Sequence, residues 1–270
     1  MPLSDFESPL GGYKGFKLKV GDDVADLLGF KHYEEPDPTY VLGTPGRKLS
    51  IWQRILKFFG YAPRPYGPKN GPGVYDVESL KNYPRVFEAG EDVIVTEKIH
   101  GSNARYMFDG KTFWVGSHNR WCKDKGNIWW RVAEKYPWIE EFCRSIPGAT
   151  LRGEVTPTQK GYPYGNEKHG LHVEEQFFVF DVQLPDGSYV YKATLYGSLP
   201  GVHQLVPMIY RGPYDAEKIK AMAEGNSLVD GAKHIREGIV VSAATERTVR
   251  GVGRAQLKLK SMKFLEKENA

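Results

Sequence analysis

From residue 74 onward the apolar positions fall mostly into short runs with strand character. Asp92-Val93-Ile94-Val95-Thr96 and Ala104-Arg105-Tyr106-Met107-Phe108 are two of them, and Ala149–Val155, Gln176–Leu184, Gly238–Ala243 and Ala255–Lys260 are four more. Asp109-Gly110, between Asn103–Phe108 and Lys111–Gly116, suits the positive-φ positions of a two-residue hairpin turn. A Pro-Asp-Gly turn leads from Gln176–Leu184 into Ser188–Tyr191. Helical spacing is confined to a short stretch near Val77–Lys81, to Ile128–Ile146 with an interruption at Pro137, and to Asp215–Glu224, where Asp215 caps and Gly225 stops the helix. Strands in hairpin order with few helices between them predict an α+β fold of antiparallel sheets flanked by helices, not a doubly wound sheet.

Residues 1–59 read as a small separate piece. Lys17-Leu18-Lys19-Val20 alternates like a strand, Asp22–Gly29 reads as a capped helical turn, and Leu49, Ile51, Trp52, Ile55, Leu56, Phe58 and Phe59 form a helical stripe. Gly60–Gly73 then carries four Pro and four Gly in fourteen residues, a linker composition. The expected division is therefore a small module with its linker over 1–73 and a main domain over 74–270.

Composition narrows the class. At 40% hydrophobic and 26% charged the chain is ordinary for a globular protein. No apolar run approaches the roughly 18–20 residues of a membrane span, and Met1-Pro2-Leu3-Ser4-Asp5 lacks a signal-peptide layout, so a cytoplasmic monomer with no membrane partner is expected. Cys122 and Cys143 then read as reduced thiols. The formal charge of +4 permits a polyanionic partner. Its distribution is more telling, because Arg247, Arg250, Arg254, Lys258, Lys260, Lys263 and Lys267 face a single acid, Glu266, between residues 247 and 267.

Chemistry concentrates at Glu97-Lys98-Ile99-His100-Gly101-Ser102-Asn103, where a lysine sits between two strands beside a glycine that would let a ligand approach the backbone. As a nucleophile towards phosphorus the amine must be neutral, which calls for burial or neighbouring cations. In Ala255-Gln256-Leu257-Lys258-Leu259-Lys260 the period of two turns Leu257 and Leu259 one way and Arg254, Lys258 and Lys260 the other. Like charges on one strand face are easiest to accept where a phosphate lies between them. Leu151-Arg152-Gly153-Glu154-Val155 and Arg236-Glu237-Gly238-Ile239-Val240 each set one acid beside a glycine in an apolar strand, where it must be paired or hold a ribose hydroxyl or a cation. Phe177-Phe178-Val179-Phe180-Asp181-Val182 alternates Phe178 and Phe180 against Phe177, Val179 and Asp181, giving an aromatic face on which a purine could stack. His169, His172, Glu174 and Glu175 lack a closed ligand set and read as a surface loop.

The order Lys98, Glu154, Phe180, Glu237, Lys258/Lys260 resembles the covalent nucleotidyltransferases: RNA ligases, DNA ligases and capping enzymes. E-K-I-H-G-S-N, G-E-V, the F-F-V-F-D run, E-G-I-V and L-K-L-K-S-M-K-F look most like nick-sealing RNA ligases of the phage type. The segment ahead of the linker resembles part of the OB-like N-terminal module of the Deinococcus-type RNA ligases. The resemblance implies an ATP-grasp-like nucleotidyltransferase domain in which Lys98 becomes AMP-linked, with ATP and Mg²⁺, or Mn²⁺ in its place, as cofactors. It also implies that Glu97 and Asn103 contact the nucleotide, Glu154 the ribose, Phe180 the adenine, and Lys258 and Lys260 the phosphates. Glu237, with Glu154, would hold the metal. Where the family carries an arginine after the nucleophile, this chain reads Gly116-Ser117-His118-Asn119-Arg120, so either His118 replaces it or Arg120 serves with a local shift. The implied substrate is a nicked duplex with an RNA 3′-end, held more weakly as salt rises because Arg254, Lys258, Lys260 and Lys263 neutralise phosphates. A DNA ligase, a capping guanylyltransferase and a non-catalytic nucleic-acid module stay open as alternatives. DNA ligases and capping enzymes usually carry an OB domain after the last lysine pair, and with ten residues following Lys260 here the RNA ligase is the expected reading.

Overall fold

The computed structural model describes residues 66–268 apart from 124, 157–161, 163, 165–166, 169–170, 173–174, 198 and 200. They belong to the second of two compact units, Tyr66–Ala270. The expectations for residues 1–65, and most of the His169–Glu175 loop, lie outside the described residues. In chain order the elements are β1 (Glu78–Ser79), β2 (Asp92–Lys98), β3 (Ser102–Phe108), β4 (Phe113–Ser117), α1 (Ile128–Lys135), α2 (Trp138–Ser145), β5 (Thr150–Thr156), β6 (Glu167–Lys168), β7 (Leu171–His172) and β8 (Gln176–Gln183). There follow α3 (Lys192–Tyr196), β9 (Met208–Pro213), α4 (Ala216–Met222), β10 (Gly238–Ala243), β11 (Thr248–Val249), β12 (Gly253–Arg254), β13 (Gln256–Lys260) and α5 (Met262–Glu268). The fold is α+β with predominantly antiparallel sheets.

Two larger sheets organise it, in the orders β1-β13-β10-β2-β9 and β4-β3-β5-β8. Leu257 and Leu259 of β13, Ile239 and Val241 of β10, and Val93 and Val95 of β2 share one face of the first sheet and form its core. The second sheet buries Tyr106, Leu151, Phe177, Val179 and Val182 against helices α1 and α2, which contribute Val132, Ile139 and Phe142. Asn127 caps α1 by accepting from the Trp130 backbone N–H, and Asp215 caps α4 by accepting from that of Lys218. A third apolar cluster brings Ile99, just past the end of β2, and Tyr164 together with Phe178 of β8 and Phe264 of α5.

Three local expectations need correction. No helix forms at Val77–Lys81: Glu78 and Ser79 pair in parallel with Leu257 and Lys258, because the stretch supplies the edge of a strand that would otherwise be open. The hairpin between β3 and β4 turns through four residues, not two. The Asp109 carboxylate accepts from the backbone N–H groups of Lys111 and Thr112, closing a wider loop in which only Gly110 takes positive φ. In β8 a register shift opposite Arg152/Gly153 breaks the alternation, so that Val179 and Val182 both enter the core under α1 and α2. Phe180 and Asp181 between them both turn to the other side, and Asp181 therefore does not share the face of Phe177 and Val179.

Candidate active site

The chain crosses from the first sheet to the second at Ile99-His100-Gly101, and this crossing creates the site. Lys98 ends β2 on one sheet while Asn103 lies near the start of β3 on the other. A Cβ on Gly101 would stand 2.3 Å from the Val155 carbonyl oxygen and 2.9 Å from Glu154 Cγ, so the glycine is required to bring the crossing chain against β5, not to admit a ligand. Between the sheets lies a cavity of about 210 Å³.

Strand register fixes what faces it. On the first sheet Lys258, Val240 and Thr96 lie side by side across β13, β10 and β2, and all three line the cavity. The next row is Lys260, Gly238 and Lys98. Gly238 leaves a gap between the two lysines, and a Cβ there would meet the Leu259 carbonyl at 2.1 Å. Glu237 fills that gap: its Oε1 lies 2.8 Å from Lys98 Nζ and 3.4 Å from Lys260 Nζ, and its Oε2 lies 3.4 Å from His100 Nδ1. On the second sheet Asn103 pairs with Glu154 across β3 and β5, and both line the cavity together with His118 and Phe180.

The two acids differ in charge state. Burial raises the Glu237 pKa, but the hydrogen bond from His100 and the pairing with Lys98 and Lys260 outweigh it and bring the value down to about 2. Burial dominates at Glu154, and with the neighbouring Glu237 charge it lifts that carboxyl to about 7 against the pull of Lys98 and His100. Glu97, whose pKa burial also raises, accepts from the Leu228 N–H at 2.7 Å, so its carboxylate pins the 226–229 loop behind the wall it helps form.

The RNA ligase family matches residues 91–260, a span that contains every residue of this constellation. The chain belongs to the RNA ligase family. Among solved structures it is similar to the Naegleria gruberi RNA ligase with PPi, at 23% identity and a TM-score of 0.60, over 93% of this chain and 68% of that one. It is likewise similar to a mutant of that ligase with ATP and Mn, at 22% identity and a TM-score of 0.59, over 92% and 68% of the two chains. No curated protein is matched. At these identities the structural likeness establishes the fold.

In this RNA ligase family member the sequence-derived residues Lys98, Asn103, Glu154, Phe180 and Lys258 line one cavity, with Glu237 paired to Lys98 and to Lys260 beyond it. Of the pair left open, His118 lines the cavity, its Nε2 3.1 Å from Asp76 Oδ1 and from the Tyr75 carbonyl, while Arg120 is exposed and outside the lining. Arg254 is corrected from phosphate ligand to structural tie: it pairs with Asp181 at 2.6 Å and Glu246 at 2.7 Å and lies 3.6 Å over the Tyr189 ring. Sequence reasoning missed Tyr75 and Lys192. Tyr75 packs 5.2 Å from Phe180 and donates to Asp181. Lys192, buried in the lining, donates to the Phe180 carbonyl and pairs with Asp181 at 3.3 Å. Its only local signal was a lysine opening a short apolar helix.

Among the described residues no three His, Cys, Asp or Glu side chains gather as a metal cluster. The oxygen donors on the wall include the Asp76, Glu97 and Glu154 carboxyls and Asn103 Oδ1, which is buried without a partner, and of these Glu154 and Asn103 lie opposite one another across β3 and β5. That set fits a hard divalent cation that takes most of its shell from phosphate oxygens and water. Among the described residues no helix is long and apolar enough to cross a membrane.

Proposed function

We propose that this chain is an ATP-dependent RNA ligase of the nick-sealing kind found in phage and in Deinococcus, which joins a 3′-hydroxyl to a 5′-phosphate in duplex nucleic acid during RNA repair. The observation that carries this reading is the row Lys260–Gly238–Lys98 with Glu237 in its gap, beside a cavity that Phe180 and Glu154 line from the opposite sheet. It offers a nucleophile, a flat ring for a base, an acid for ribose hydroxyls and cations for phosphate.

In the first step Lys98 Nζ attacks the α-phosphorus of ATP. The N–P bond forms as the bond to the bridging oxygen breaks, pyrophosphate departs, and the amine loses its proton. Glu237, held ionised, orients the amine before attack, and Lys258 would face the phosphates from β13, on the far side of β10. An RNA 5′-phosphate oxygen then takes the AMP from Lys98, giving a 5′–5′ pyrophosphate-linked end. The 3′-hydroxyl finally attacks the 5′-phosphate, forming the phosphodiester and releasing AMP. Magnesium, or manganese, held by Glu154 and Asn103 with Glu237 close by, would supply neutralising charge for the phosphate oxygens. The covalent intermediate keeps the energy of ATP on the enzyme until a nick is found.

Nick sealing with defined sugars tests this function. A 3′-terminal ribonucleotide favours an A-like sugar that aligns the attacking oxygen, so such a nick should close much faster than an all-DNA nick, while the sugar on the 5′-phosphate side should matter less. Equal rates on both would sink the RNA-sealing reading and favour a DNA ligase with the same lysine chemistry.

A further inference from the structure

Tyr164 is fully buried and holds φ at +48°, which makes it the one non-glycine residue with positive φ among those described. A bulky side chain in that region is strained and persists only where its surroundings over-determine it. Here three contacts do so. The phenol oxygen accepts a hydrogen bond of 2.5 Å from the backbone N–H of His100, the second residue after Lys98. The ring meets His234 edge to face at 4.6 Å, three residues before Glu237. The carbonyl accepts from Gln176 Nε2 at 3.1 Å at the start of β8.

These contacts lock together the two segments that carry the Lys98–Glu237 pair. His100 is the middle residue of the crossing between sheets, where no strand ladder holds the backbone, and its N–H turns towards Tyr164 of the apolar cluster that also holds Ile99 and Phe264. Without the phenol oxygen the His100 N–H would lose this hydrogen bond and the crossing would be held less firmly. Rotation there would move Lys98 Nζ relative to the cavity, since only Ile99 separates the two residues. His100 also faces Glu237 at 3.4 Å, so the same shift would disturb the junction that orients the lysine.

We infer that Tyr164 is a positioning residue for the adenylylation of Lys98, acting through its hydroxyl on the His100 backbone and dispensable for the later closure of the strand. The inference rests on the ligase reading above. Tyr164→Phe keeps the ring and removes only the oxygen. In the full chain, the rate of labelled AMP transfer from ATP to protein at saturating ATP should fall about tenfold, the loss expected when this part-buried hydrogen bond no longer fixes a reacting group. The KM for ATP and the sealing of a nick supplied already adenylylated should each stay within about twofold, because neither uses the attack by Lys98. Sealing of the pre-adenylylated nick also reports how much of the variant is folded. Unchanged AMP transfer in Tyr164→Phe overturns the inference. An equal fall in both steps, together with a lower unfolding midpoint, overturns it in favour of a purely structural role. A wild-type chain that forms no AMP adduct at all would instead remove the underlying ligase reading.

Discussion

Glu154 and Glu237 flank Lys98 from different sheets, and burial opposes the charge of both, yet their ionisation moves in opposite directions. Glu237 has Lys98, His100 and Lys260 within 3.4 Å and falls to about 2. Glu154 faces the same lysine across the cavity without a direct ion pair and rises to about 7. The difference shows that contact, not mere proximity, decides the charge state at a buried site. It also separates two jobs. A carboxylate ionised under all ordinary conditions suits holding the amine in place, and one poised near neutrality suits meeting a ribose or a metal-bound water.

The largest effect should come from destroying the paired acid. Glu237→Ala leaves Lys98, Lys260 and His100 without their shared counter-charge, and AMP transfer measured with labelled ATP should fall by at least about a hundredfold. The same acid contributes to pH stability. Because its folded pKa lies below its ordinary 4.5, its contribution is present above pH 4.5 and is lost as pH falls towards 2. The loss is on the order of 3 kcal/mol. Urea unfolding across that window should therefore be less steeply pH-dependent in Glu237→Gln than in the wild type.

Next in size is the unpaired acid. If Glu154 must be ionised to accept from the ribose, AMP transfer should rise as pH passes through about 7, and Glu154→Gln should lose that inflection and run about tenfold slower. An unaltered profile in the variant would mean that another group titrates there. Beyond the acids, Phe180→Leu removes the flat ring and should raise the KM for ATP about three- to tenfold with little change in turnover. His118→Ala should weaken sealing a few-fold, whereas Arg120→Ala, outside the cavity, should change it by less than about twofold. If Arg120→Ala is the more damaging of the two, His118 is not the residue that stands in for the family arginine.

Much of the second unit was legible because strand periodicity is a local signal. Lys258 and Lys260 opposite Leu257 and Leu259, the strand Gly238–Ala243 and the Asp215 cap all follow from neighbours in the chain. The misses share a different cause. Asp181 belongs with Arg254 and Lys192, partners 73 and 11 residues away, and a single-residue bulge in β8 turns it from the expected face. Arg254 looked like part of a phosphate-binding run, yet it is taken up by two carboxylates that no local pattern links to it. The crossing at 99–101 reads in the sequence only as a connection between two strands, and only pairing across the whole fold shows that they join different sheets. Tyr75 and Tyr164 gave no signal because each acts through one hydroxyl on a distant segment.

The measurement that bears most directly on Lys98 is incubation of the wild type and Lys98→Ala with α-labelled ATP and Mg²⁺, followed by a denaturing quench with chelator at alkaline pH and peptide mapping. The wild type should carry a covalent AMP on the peptide containing Lys98, stable to alkali and released by acid as an N–P bond requires, and Lys98→Ala should carry none while still sealing a pre-adenylylated nick at a measurable rate. Normal AMP labelling of Lys98→Ala would contradict the assignment of the nucleophile.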